Sequence, residues 1–66
     1  MIVKINGEEK DIESGISVSQ LLEHLELSPG RVVVELNTKV VARNAHGSTR
    51  LNAGDQLEIV HFVGGG

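Results

Sequence analysis

The sequence predicts an α+β domain, a mixed sheet of four to five strands wrapped around one main helix. Three observations predict it. Apolar residues alternate with a period of two near both ends of the chain and in its middle, as half-buried strands require. One stretch alone, Val18, Leu21, Leu22 and Leu25, repeats at the i, i+3, i+4, i+7 spacing of an apolar helix stripe. A lone stripe of that kind must bury against a sheet face.

The elements follow in order. Met1, Val3 and Ile5 share one face of a first strand running to Asn6, with Lys4 and Asn6 on the other. Asn6-Gly7 reads as a type I′ hairpin turn, whose two central residues both need positive φ. The chain returns over Glu8 to Ile12, and Glu13-Ser14-Gly15 turns it again. Ser17-Val18-Ser19-Gln20 has the form of a capping box, and Ile16 and Leu21 have the spacing of a hydrophobic staple. The helix is predicted over residues 18–26, with Ser28-Pro29-Gly30 ending it. Arg31 to Asn37 is a strand with Val32, Val34 and Leu36 facing one way and Val33 and Glu35 the other. Asn37-Thr38 turns the chain into a short strand at Lys39-Val40-Val41. Residues 42–50 are polar and read as an irregular connection, and Asn52-Ala53-Gly54-Asp55 as a turn. Gln56 to Val63 is the last strand. Leu57, Ile59, His61 and Val63 share its core side, and Glu58, Val60 and Phe62 its other side. The domain is expected to span residues 1–63, with residues 64–66, all glycine, as a flexible tail.

Composition excludes several classes of function. With 66 residues, one domain is the sensible count. There is no cysteine, so a disulfide, a thiolate metal site and a cysteine nucleophile are all excluded. No run approaches the roughly 18 apolar residues of a membrane span, and no basic segment followed by an apolar one opens the chain as a signal peptide would. A cytoplasmic location is expected. The formal net charge is −3, the six Lys and Arg are scattered, and Phe62 is the one aromatic residue. Neither nucleic acid nor an anionic membrane suits that pattern. His24, His46 and His61 are far apart and have no metal-ligand spacing, so no metal site is expected. No phosphate-binding glycine motif occurs, so the chain is not expected to bind ATP itself.

The strand order, the small size and the glycine end resemble the ubiquitin-like β-grasp family. Within it, Asn6-Gly7 after a first strand, SVSQLLEHL, VVVELN, GDQLEIVHFV and a final Gly-Gly resemble the sulfur carrier proteins of thiamine biosynthesis. The resemblance covers the whole chain. It implies that a ubiquitin-activating-enzyme-like adenylyltransferase activates the C-terminus and that sulfur is carried as a thiocarboxylate to thiazole synthase. By motif position, Gly65 and Gly66 take the Gly-Gly role, and Gly64 adds reach. The chain would then be a co-substrate that binds no cofactor, monomeric by itself, with ATP and sulfur supplied through partner enzymes.

Glycine suits such an end. A carboxylate is a poor electrophile, but its adenylate has a good leaving group that a sulfur nucleophile can displace. Residues without Cβ can thread a narrow channel and approach phosphates closely. If the last strand ends near Phe62, four residues reach about 13 Å. Val60 and Phe62 should point away from the helix, beside the tail, and Val33 and Val63 are grouped with them as a partner-docking patch. Val33 joins that patch if its strand neighbours the last one. Three functions stay open on the residues: a sulfur carrier, for thiazole or molybdopterin synthesis; a protein modifier forming isopeptide bonds; and a non-covalent interaction module.

Overall fold

The structure, a computed structural model, describes residues 1–62. Five strands and one α-helix form it: β1 (Ile2–Ile5), β2 (Glu8–Asp11), α1 (Val18–His24), β3 (Val32–Leu36), β4 (Lys39–Val41) and β5 (Gln56–His61). Short 3₁₀ turns occupy Pro29–Arg31 and Arg43–Ala45. The sheet order is β2-β1-β5-β3-β4, so the last strand in sequence is the middle strand in space. β5 runs parallel to β1 and antiparallel to β3, and the two hairpins β1–β2 and β3–β4 flank it. The mixed sheet and single helix agree with the α+β expectation.

Turn chemistry fixes both hairpins. Asn6 and Gly7 have φ of 51° and 83°, the positive pair that a type I′ turn demands. Asn37 and Thr38 repeat the pattern at 51° and 75°. Thr38 is an expensive choice there, because a β-branched side chain crowds a left-handed backbone. Asn37 offsets part of that cost. Its Oδ1 accepts from the Gln56 N–H at 3.0 Å, and its Nδ2 donates to Asp55 Oδ1 at 3.1 Å.

The helix starts as its sequence requires. The Ser17 hydroxyl accepts from the Gln20 N–H at 3.1 Å, and Gln20 Oε1 accepts from the Ser17 N–H at 2.9 Å. The next donors go elsewhere: Val18 N–H to Thr49 O and Ser19 N–H to His46 O. The stretch 42–50, expected to be an irregular connection, therefore completes the cap of α1. Helix N-termini leave several N–H groups without internal partners, and this loop supplies carbonyls for two of them. The same docking lays Leu51 N–H on Ile16 O at 2.9 Å and buries Leu51 to 1% exposure.

The helix stops earlier than the sequence suggests. Leu25 is its C-cap, and Glu26 adopts φ of 59°. Leu27 N–H reaches Leu22 O at 2.9 Å and Glu26 N–H reaches Glu23 O at 3.0 Å. Those two bonds are a Schellman closure. A glutamate rather than a glycine takes the left-handed position, so no stop signal was visible before Ser28. Pro29 instead opens the following 3₁₀ turn.

The core lies between α1 and one sheet face. Val3, Ile5, Val32, Val34, Leu57 and Ile59 supply the sheet side; Ile16, Val18, Leu21, Leu22 and Leu51 supply the cover. His61 departs from the expected core side. It lies opposite Val32 on that face but is exposed. Its neighbour Val32 is buried, so the core reaches this rung on β3 but does not extend to His61 on β5. The expected tail at 64–66, the boundary at residue 63 and Val63 itself lie outside the described residues.

Leu51 sits in no helix or strand yet fills the core. Leu51→Ala is expected to cost about 2–5 kcal/mol. That is a large share of a small domain's total stability, and urea unfolding followed by circular dichroism would read it as a much lower midpoint.

Candidate functional site

β5 carries two kinds of side chain because the strand period is two. Leu57 and Ile59 are buried under the helix, while Glu58, Val60 and Phe62 stand on the opposite, uncovered face. Val60 is 54% exposed and Phe62 49%. The β3–β5 register sets Val33 directly across from Val60. Phe62 N–H donates to Arg31 O at 2.8 Å, which carries that pairing one residue past the end of β5. The structure thus brings Val33, Val60 and Phe62 together on one face at the last described turn of the chain. Val63, Gly64, Gly65 and Gly66 follow outside the described residues.

The register also shows what sequence reasoning missed. One rung further from Phe62, Glu35 lies directly opposite Glu58, and Val40 of β4 lies opposite Glu35. Val40 is among the exposed large hydrophobic residues. Among the described residues, the ion pairs are those of the Met1 amino group with Asp11 and of Lys10 with Glu8; neither Glu35 nor Glu58 has one. The outer face is therefore a band of aliphatic and aromatic side chains bordered by an unneutralised acidic rung. No sequence pattern gives this directly, since strand pairing joins residues far apart in the chain. An open depression lined by Glu35, Asn37, Thr38, Gln56 and Glu58 occupies the Gln56 end of this face, away from Phe62.

The histidines are dispersed. His24 is exposed in the last turn of α1 and His61 is exposed at the end of β5. His46 is 3% exposed, and its Nε2 lies 3.3 Å from Val41 O. Among the described residues, no three His, Asp or Glu side chains gather in a way that could hold a metal ion. No helix among them is long and apolar enough to cross a membrane.

A five-stranded mixed sheet around one helix, with its last strand central, is the ubiquitin-like β-grasp architecture. The ThiS family model matches residues 3–66, and this chain belongs to the ThiS family. It is 33% identical over 69 residues to the sulfur carrier protein ThiS of Bacillus subtilis, covering 98% of this chain and all of that one. It is 42% identical over 66 residues to a thiazole synthase of Magnetococcus marinus, covering all of this chain and 20% of that protein. A thiazole synthase of Paramagnetospirillum magneticum matches at 39% identity with the same coverage. The chain thus spans about a fifth of the length of these two curated relatives. Among solved structures, the crystal structure of the thiamine biosynthesis protein ThiS from Geobacter metallireducens superposes with a TM-score of 0.86 at 33% identity, covering both chains fully.

Like charges directly opposite on neighbouring strands destabilise a sheet. Glu58→Gln is therefore expected to raise stability by about 0.2–1 kcal/mol at low salt. The gain should vanish near 1 M salt, where the screening length falls to roughly 3 Å. Urea midpoints of both chains at the two ionic strengths check this.

Proposed function

We propose that this chain is a sulfur carrier protein of thiamine biosynthesis and that Gly66 is the residue that carries sulfur. The observation that carries this reading is the ThiS family match, which runs through residue 66 and so includes the glycine end. The Gly66 carboxylate attacks the α-phosphorus of ATP in an activating enzyme of the ubiquitin-activating type, and pyrophosphate leaves. A sulfur nucleophile then displaces AMP, leaving a thiocarboxylate. Dividing one difficult substitution into two easier ones is the usual gain from covalent activation. The chain itself is a co-substrate; ATP, the sulfur source and the catalytic groups belong to its partners.

The outer face of the sheet supplies the docking surface. Val33, Val60 and Phe62 form its apolar centre, and Val63, Gly64 and Gly65, outside the described residues, are proposed as the rest of the partner-contacting segment that leads to Gly66. Apolar patches rimmed by charge are typical contact sites, and aromatic residues are favoured anchors within them. Thiazole synthase is the proposed recipient of the sulfur. Two proteins so named contain a stretch similar to this entire chain, which favours thiazole formation over molybdopterin synthesis.

Incubation with an activating enzyme, ATP and a sulfur donor, followed by intact-mass measurement, tests the proposal. A carrier gains the mass of one oxygen-to-sulfur exchange at Gly66. Conjugates of high mass would instead mark a protein modifier, and an unchanged mass a non-covalent module. Phe62→Ala is expected to lower the loading rate at subsaturating carrier about tenfold. Its folding stability should stay within about 0.5 kcal/mol of the parent, as for other exposed positions.

A further inference from the structure

Asn6 does more than turn the first hairpin. Its Oδ1 accepts from the Ile59 N–H at 2.8 Å, and its Nδ2 donates to Ile59 O at 3.2 Å. β1 itself pairs with β5 only through Lys4 opposite Gln56 and Ile5 opposite Leu57. Asn6 N–H then donates to Leu57 O at 2.9 Å, and the side-chain amide makes the next pair of bonds in place of a backbone. Past that point the chain has turned away at Gly7. Asn6 is thus the last hold of β1 on the half of β5 that leads to Val60 and Phe62.

Asn6 also precedes Gly7, and of the asparagines at 6, 37, 44 and 52 it alone precedes a glycine. Asn-Gly is the pairing in which intramolecular attack on the side-chain amide is least hindered, because the attacking nitrogen belongs to a residue without Cβ. In that reaction the Gly7 nitrogen bonds to Asn6 Cγ and the Cγ–Nδ2 bond breaks. Nδ2 leaves as ammonia with the proton that the Gly7 nitrogen gives up. Water then opens the cyclic imide at either carbonyl, giving aspartate or isoaspartate. No electrons are exchanged, and water is the one co-reactant.

We propose that Asn6 is a deamidation site gated by folding. In the folded chain both polar atoms of the amide are committed to Ile59, so the side chain cannot turn Cγ toward the Gly7 nitrogen without breaking two hydrogen bonds. Opening of the β1–β5 contact frees it. Conversion is then self-reinforcing. The product lacks the Nδ2 donor and leaves Ile59 O facing a carboxylate, and isoaspartate also lengthens the backbone within a two-residue turn whose geometry sets the strand register. An aspartate product still offers an oxygen to the Ile59 N–H but no donor to Ile59 O, so the β1 side holds the second half of β5 by one bond where it had two. The consequence for partner docking rests on the function proposed above; the conversion itself does not.

The test compares this chain held folded in buffer with the same chain unfolded in urea, at equal pH and temperature. Intact mass and peptide fragmentation locate the conversion. The expected result is conversion at Asn6 at least about tenfold slower in the folded state, in line with the protection that structured hydrogen bonds give. The converted chain, separated by its added negative charge, should show an unfolding equilibrium constant raised up to about tenfold, as for a part-buried hydrogen-bonding group left unpaired. Asn6→Gln, whose longer side chain forms the corresponding ring poorly, should show no conversion at residue 6 in urea. Equal rates in the two states, an unchanged unfolding constant after conversion, or persistent conversion in Asn6→Gln would each overturn the proposal. None of these readouts uses an activating enzyme, so a failed sulfur-loading assay would leave them intact.

Discussion

β5 is the last strand the chain forms and the one on which the whole sheet closes. Its two neighbours, β1 and β3, do not touch each other through the ladder; each meets only β5 and its own hairpin partner. Until β5 inserts, the sheet is two separate hairpins, and a lone hairpin is marginal in water. Insertion also places Leu57 and Ile59 beneath the helix and completes the core. This pairing joins residues more than fifty positions apart on the β1 side, so it carries a larger loop-closure cost than the local hairpins.

Two asparagines hold that insertion. Asn6 ends β1 and reaches Ile59; Asn37 ends β3 and reaches Gln56. Both sit at positive φ, the first position of a type I′ turn, where asparagine is well tolerated. One side chain therefore does two jobs in each case: it permits the turn, and it satisfies backbone groups of β5 that the turning strand can no longer reach. Buried or half-buried backbone polar groups are costly when unpaired, so the two turns and the central strand depend on each other.

The burial of one face of β5 is also what makes its other face available. A helix of seven residues covers one side of the sheet, and among the described residues no second layer covers the other. The edges carry their own protection: β2 is a fully exposed, charged strand and β4 is only three residues long. Both features discourage strand-to-strand aggregation. The remaining open surface is the band through Val33, Val60 and Phe62, beside the root of the glycine end. On the function proposed above, β5 carries the contact surface of the carrier.

The sequence by itself determined the element types, the two hairpin turns, the capping box at Ser17 and Gln20, and the alternation that separates Leu57 and Ile59 from Val60 and Phe62. Each of these is a local matter, decided by side-chain period, turn conformation or hydrogen bonds within a few residues. The family resemblance read from the glycine end and its preceding strand agrees with the match over residues 3–66. Tertiary structure alone decided what depended on distant pairing. The stretch 42–50 looked irregular because its role is to cap a helix some thirty residues earlier and to seat Leu51. His61 keeps the register of the core face yet is exposed, while Val32 opposite it is buried. Glu35 and Glu58 became neighbours only through the β3–β5 register. Asn6, legible as a turn residue, became a clamp on Ile59 because the last strand came to lie beside the first.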